Sequence, residues 1–123
     1  MSNSTRYGII GAGMMAQEHI RNIYLLDGAS VTAVCDPVQT SLSWSESTLR
    51  SIDGADLSQV QYFTDHRDML AAGVVDALII ASPNNTHIDV LRDTLQTNLP
   101  HLVEKPLCTT LEDALEIEER VKS

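Results

Sequence analysis

The chain has 123 residues, a formal charge of −9 and two cysteines. That length suits one domain burying roughly two-thirds of its unfolded surface, and the charge argues against nucleic acid or an anionic membrane as a partner. No apolar run approaches the roughly 18 residues of a membrane span. The polar opening stretch, residues 1–6, lacks the apolar core of a signal peptide and reads as a frayed tail, disordered over 1–5, ahead of one folded domain over 6–123.

Residues 7–10 form a short apolar run that reads as a buried strand. Gly11 and Gly13 then permit a tight turn whose backbone has no side chain in the way. From Ala16 the apolar residues recur at Ile20, Ile23 and Tyr24, the spacing of one helix face. Strand, G-x-G-x-x-A and helix in that order is the pattern of a dinucleotide-binding turn, in which the unpaired N–H groups of a first helical turn attract a pyrophosphate. On its own the motif is weak, because a glycine turn between strand and helix is often only a turn. Asp27-Gly28 reads as the end of this helix. Residues 30–35 are β-branched and apolar, a second strand running into Asp36-Pro37.

Asp36 lies about 25 residues beyond Gly11, near the spacing of the acid that hydrogen-bonds an adenosine ribose. Its carboxylate would repel a 2′-phosphate, and no Lys or Arg follows until Arg50, so NAD is expected over NADP. The competing reading is an acid that caps the next turn. Leu42, Trp44, Leu49 and Ile52 are the inward positions of a serine-interrupted helix over 39–53. Residues 60–63 are a third strand and residues 66–72 a short helix stopped by Gly73, with His66 at the surface. Residues 75–81, apolar apart from Asp76, read as a central parallel strand covered on both faces.

A helix follows from about Thr86, with Ile88, Leu91 and Leu95 on one face and Asn98 as a left-handed cap. Residues 101–103 make a fifth strand. Thr109-Thr110-Leu111-Glu112 fits a capping box and opens a last helix with Leu111, Ala114, Leu115 and Val121 inward. The β-α alternation with right-handed crossovers predicts an α/β fold, a doubly wound parallel sheet ordered 3-2-1-4-5. The glycine turn, Asp36, the 83–87 segment and residues 104–106 all lie at strand carboxyl ends and converge on one edge, where such sheets bind ligands. Cys35 and Cys108 fall at or just past strand ends, outside any C-x-x-C or metal-ligand spacing. They read as free thiols of a reducing compartment, the cytoplasm, and no metal site is expected.

Four segments carry a family resemblance: G-A-G-M-M-A at 11–16, C-D-P at 35–37, A-S-P-N-N-T-H at 81–87 and V-E-K-P-L at 103–107. The first two are common to many dinucleotide folds; the last two, in this order and spacing, are more discriminating. Together they resemble the N-terminal Rossmann domain of the Gfo/Idh/MocA oxidoreductases, over nearly all of residues 6–122. The resemblance implies NAD(P)-dependent hydride exchange with a sugar, cyclitol or related polyol. It places Gly11, Ala12, Gly13, Met14 and Met15 along the pyrophosphate and Asp36, with Pro37, at the adenosine ribose. Ser82, Pro83, Asn84 and His87 would flank the nicotinamide half, beside Glu104 and Lys105. Lys105 is the catalytic candidate: a cation beside a reacting hydroxyl stabilises developing alkoxide charge. The Lys105–Pro106 bond is often cis in the family.

Two departures stand out. The segment 97–100 lacks the family's usual glycine-containing turn. The chain also stops at Ser123, before the sixth strand and the C-terminal α/β domain that supplies the family's substrate surface and Asp/His pair. The expectation is cofactor binding without turnover by this chain, a small polyol or sugar substrate met through the missing domain, and a homo-oligomer formed at the unpaired fifth strand. Two other readings stay open on the sequence: a stand-alone NAD(H)-sensing module, since fold alone does not fix function, and a methyltransferase-like fold.

Overall fold

The computed structural model describes residues 5–122. Five parallel strands form one sheet in the order β3-β2-β1-β4-β5: β1 (Thr5–Ile10), β2 (Ala29–Cys35), β3 (Gln61–Phe63), β4 (Ala77–Ile80) and β5 (His101–Val103). The helices are α1 (Met14–Ile23), α2 (Gln39–Arg50), α3 (His66–Ala72), α4 (His87–Thr94) and α5 (Leu111–Lys122), with short 3-10 turns at Leu57–Gln59 and Asn84–Thr86. The strand order and direction match the sequence expectation.

A core lies on each face of the sheet. Ile9, Ile20, Val31, Val34 and Leu49 build one, against α1 and α2. Ile10, Met69, Leu78, Ile80, Leu91 and Ile117 build the other, against α3, α4 and α5. The alternation of Ile9 and Ile10 between these cores is the period-2 geometry of a strand covered on both sides.

Several boundaries differ from the sequence reading, each for a local reason. Thr5 and Arg6 belong to β1, not to a tail, while residues 1–4 of the expected tail lie outside the described residues. The Thr5 N–H donates to Gly28 O at 2.7 Å, and Arg6 grips Asp76 with its backbone N–H and its guanidinium. Asp76 thereby becomes the lateral tie between β1 and the segment entering β4, whose strand proper is shorter than the apolar run. Helix α1 starts at Met14, with Gly13 as its N-cap, and ends at Ile23 with Tyr24 as C-cap. Gly28 (φ 73°) therefore belongs to the turn into β2 rather than to the helix end.

In α2 the inward positions are Leu42, Ser45, Thr48 and Leu49, and Trp44 is turned outward. Two small hydroxyl residues let α2 lie close to its neighbours, which a search for large apolar residues overlooks. His66 is half-buried, its Nε2 2.6 Å from Asp93 Oδ2 of α4.

Helix α5 is capped by Thr110, whose hydroxyl accepts the Asp113 N–H at 3.1 Å, so the capping frame is one residue later than expected. Its inward face follows that frame: Ile117 is buried and Ala114 half-buried, while Leu111, Leu115 and Val121 are exposed. Asn98 has φ 61° and fills the expected left-handed position.

Candidate functional site

The carboxyl ends of β1, β2 and β4 open onto a cavity of about 760 Å³, within the range of small-molecule sites. Of the residues singled out in the sequence, Gly11, Gly13, Met14, Met15, Asp36, Pro37, Ser82 and Pro83 line it. Ala12, Asn84, His87, Glu104 and Lys105 do not.

The glycine turn is shaped by close approach. Gly11 has φ 97°, and a Cβ there would stand 2.3 Å from Ser82 N and 2.4 Å from Ser82 Cα. The turn after β1 thus rests on the turn after β4, across the point where the strand order reverses. At Gly13 a Cβ would meet nothing within 4 Å, so this residue borders open space. As N-cap of α1 it offers no side-chain hydrogen bond, and no acid occupies the first turn. The first amides of α1 are left to the cavity, as an anion site at a helix N-terminus requires.

A second feature of the turn was missed in the sequence. Gln17 is buried, and its Nε2 donates to Ala12 O (2.9 Å), Gly13 O (3.0 Å) and Ser45 Oγ (3.1 Å). One amide side chain therefore holds the glycine turn to α1 and α2. The signal was a polar residue beside Ala16 on the buried face of an amphipathic helix.

Asp36 is almost buried at 9 % exposure. Its Oδ2 accepts the Ala12 N–H and its Oδ1 the Val38 N–H, both at 2.8 Å. The turn-capping reading is therefore present in the geometry. It does not use up the group, because an ionised carboxylate has about four acceptor sites. The Ala12 N–H is consumed by this bond, which makes Ala12 a fixed part of the turn rather than an open donor. Beyond Asp36 the wall includes Cys35, whose thiol burial and neighbouring acids push up to about 12, so it stays protonated and apolar in character.

The same wall includes Arg67 from the start of α3, a cation that a scan of the residues following Asp36 does not reach. Its guanidinium is bonded to the Asp65 carboxylate at 3.0 and 3.1 Å, which offsets its charge locally. That pairing holds the Asp65 carboxyl below its ordinary range.

His87 is completely buried. Its Nδ1 lies 3.0 Å from Pro106 O and 3.1 Å from Leu107 O, and its Nε2 lies 2.9 Å from Ser82 O. It cannot touch a ligand; it joins the turn after β4 to the turn after β5. Thr86 reinforces the former, bonding Ser82 Oγ at 2.8 Å and Pro83 O at 2.6 Å. Asn84 is exposed on the 3-10 turn. Glu104 is half-buried and bonds His19 of α1. Lys105 is exposed, and the Lys105–Pro106 bond is cis. Among the described residues no group of three or more His, Cys, Asp or Glu could hold a metal ion.

The geometry has counterparts among known proteins. Residues 5–123 match the Gfo/Idh/MocA family model, described as an oxidoreductase family with an NAD-binding Rossmann fold. The rhizopine catabolism protein MocA of Rhizobium meliloti is 36% identical over 110 residues, 89% of this chain and 31% of that protein. An inositol 2-dehydrogenase of Corynebacterium glutamicum is 37% identical over 120 residues, 97% of this chain and 33% of that protein.

Among solved structures, myo-inositol dehydrogenase from Lactobacillus casei in complex with NAD(H) and myo-inositol superposes with a TM-score of 0.81 at 29% identity, covering 95% of this chain and 33% of that one. The WlbA dehydrogenase from Bordetella pertussis in complex with NADH and UDP-GlcNAcA gives 0.83 at 27%, covering 99% and 34%. The chain spans about a third of the length of the relatives it matches. The methyltransferase-like alternative is set aside by the family match. The chain belongs to the Gfo/Idh/MocA oxidoreductases and comprises their NAD-binding Rossmann domain.

Proposed function

We propose that this domain holds NAD across the β1–β4 edge for a dehydrogenase that acts on a polyol or sugar hydroxyl, with the substrate-binding part outside the 123 residues. The observation that carries the reading is the uncapped first turn of α1 facing a cavity closed on its other side by the Asp36 carboxylate. Gly11, Gly13, Met14 and Met15 would lie along the pyrophosphate. Asp36 and Pro37 would meet the adenosine ribose through the carboxylate's remaining acceptor sites. Ser82 and Pro83 would border the cofactor's middle. Bound there, NAD would supply hydride exchange with the carbon that bears the hydroxyl. Lys105 would hold its ammonium near that hydroxyl, lowering the cost of alkoxide character.

Ala12, Asn84, His87 and Glu104 take other parts: Ala12 and His87 shape the turns, Glu104 sets the Lys105 backbone, and Asn84 stays at the rim. Inositol-type substrates are favoured by the identity to inositol 2-dehydrogenases. The exposed apolar residues of β5 and α5 support a homo-oligomer, and the two free cysteines support a cytoplasmic protein.

Amide chemical shifts of the labelled chain, followed as NAD is added, test the placement. Movement at Gly11, Gly13, Met14, Asp36 and Ser82 is the expected result. Movement confined to other edges of the sheet would contradict it. In the full-length dehydrogenase, Lys105→Ala should abolish turnover even at saturating NAD, and unchanged turnover would remove Lys105 from the chemistry.

A further inference from the structure

The turn over 104–107 carries Lys105, whose side chain is exposed and has no hydrogen bond or ion pair among the described residues. A free lysine of four methylenes is poorly positioned by itself, so its ammonium is placed by the backbone on either side. That backbone is anchored on both flanks. The Glu104 N–H donates to Ile80 O at 3.0 Å. Pro106 O and Leu107 O face Nδ1 of the buried His87. The remaining freedom is that of the Glu104 side chain, and His19 removes it. Nε2 of His19, on α1, is hydrogen-bonded to Glu104 Oε1, across 85 positions of sequence. The two side chains are only 17% and 24% exposed, so this contact is better shielded than an ordinary surface pair.

We propose that His19 is a positioning residue for Lys105. It acts by holding the Glu104 carboxylate against α1. Two consequences follow from the chemistry. The turn bearing Lys105 is fixed relative to the helix whose first amides face the cavity, so the two ends of the site keep one spacing. The carboxylate next in sequence to Lys105 is also engaged elsewhere, which leaves the ammonium unpaired for a reacting hydroxyl. Without His19, Glu104 is a mobile anion beside that ammonium and competes for it. The inference rests on the placement of Lys105 beside the nicotinamide half proposed above.

The test compares NADH with ADP-ribose, which lacks the nicotinamide, by calorimetric titration of the 123-residue chain. His19→Ala should weaken NADH roughly five- to tenfold and leave ADP-ribose within about twofold. Lys105→Ala should show the same split, and the double variant should match Lys105→Ala alone, since coupled residues are not additive. His19→Gln, whose amide can donate to Glu104, should recover most of the affinity, and thermal melting checks that each variant is folded.

Equal losses for both ligands, multiplying losses in the double variant, or no change in NADH binding for His19→Ala would each overturn the role of His19. A wild-type chain that binds neither ligand would overturn the cofactor reading, and this proposal with it. Unchanged NADH binding by Lys105→Ala would instead remove Lys105 from the nicotinamide half.

Discussion

Gly11 shows how one missing methyl group shapes the site. Alanine there would need φ near 97° and would drive its Cβ into the Ser82 backbone at 2.3 Å. Neither neighbour is a flexible side-chain end, so β1 and β4 would have to separate. Gly11→Ala is expected to cost about 2–4 kcal/mol and to weaken dinucleotide binding, read by denaturant titration and calorimetry. Wild-type stability would mean the two turns are not in contact. Asp36 makes a different point. Its importance was readable from spacing, but its double use was not: the same carboxylate fixes the Ala12 and Val38 amides and keeps acceptor capacity toward the cavity. Spacing indicates which strand end a residue occupies, and not which amides fold back onto it. His87 was misplaced for the same reason. The motif puts it at the correct strand end, and only packing shows that it is sealed between three carbonyl oxygens.

Elements were legible where period and punctuation agree. The order of strands, α3 with its Gly73 stop, and β5 follow from apolar runs bounded by turn residues. Helix α5 was not legible in its facing, because leucines can stand on either side of a helix whose cover is unknown. Its capping register and an ion cluster decide the matter. The Glu116 carboxylate accepts from Arg92 Nε at 2.8 Å and Nη2 at 2.9 Å, and from Arg120 Nε at 2.8 Å. These hydrogen bonds to Arg92 and then Arg120 hold the Glu116 carboxyl down to about 2.

A carboxyl lowered on folding adds stability above its unfolded value, and that contribution is lost as pH falls from about 4.5 through about 2. The Asp76 carboxyl, lowered by its hydrogen bonds to Arg6, acts in the same sense. Glu116→Gln should therefore lower the neutral plateau of melting temperature against pH and flatten the acid limb by the same amount. An acid limb identical to wild type would show that the α4–α5 tie is not formed in solution.

At the scale of the whole molecule, two halves of a doubly wound sheet are joined at β1 and β4, and the cavity sits where they meet. The outer edge at β5 is different in character. Leu102 is 54% exposed, Leu111 76% and Leu115 53%, and among the described residues β5 pairs only with β4. Exposed strand edges and apolar side chains favour association. Sedimentation should show self-association that rises with concentration and is weakened by Leu102→Glu combined with Leu111→Glu. A strictly monomeric wild-type profile at high concentration would count against the homo-oligomer. The family match removes the methyltransferase reading.

The glycine turn and Asp36 together are predicted to select NAD over NADP. Parallel calorimetric titration of the chain with NAD and NADP tests it most directly. Binding of NAD with NADP weaker by at least about tenfold is the predicted result, because a 2′-phosphate would meet the fixed Asp36 carboxylate. Equal affinity for the two, or preference for NADP, would contradict the assignment of Asp36 to the ribose.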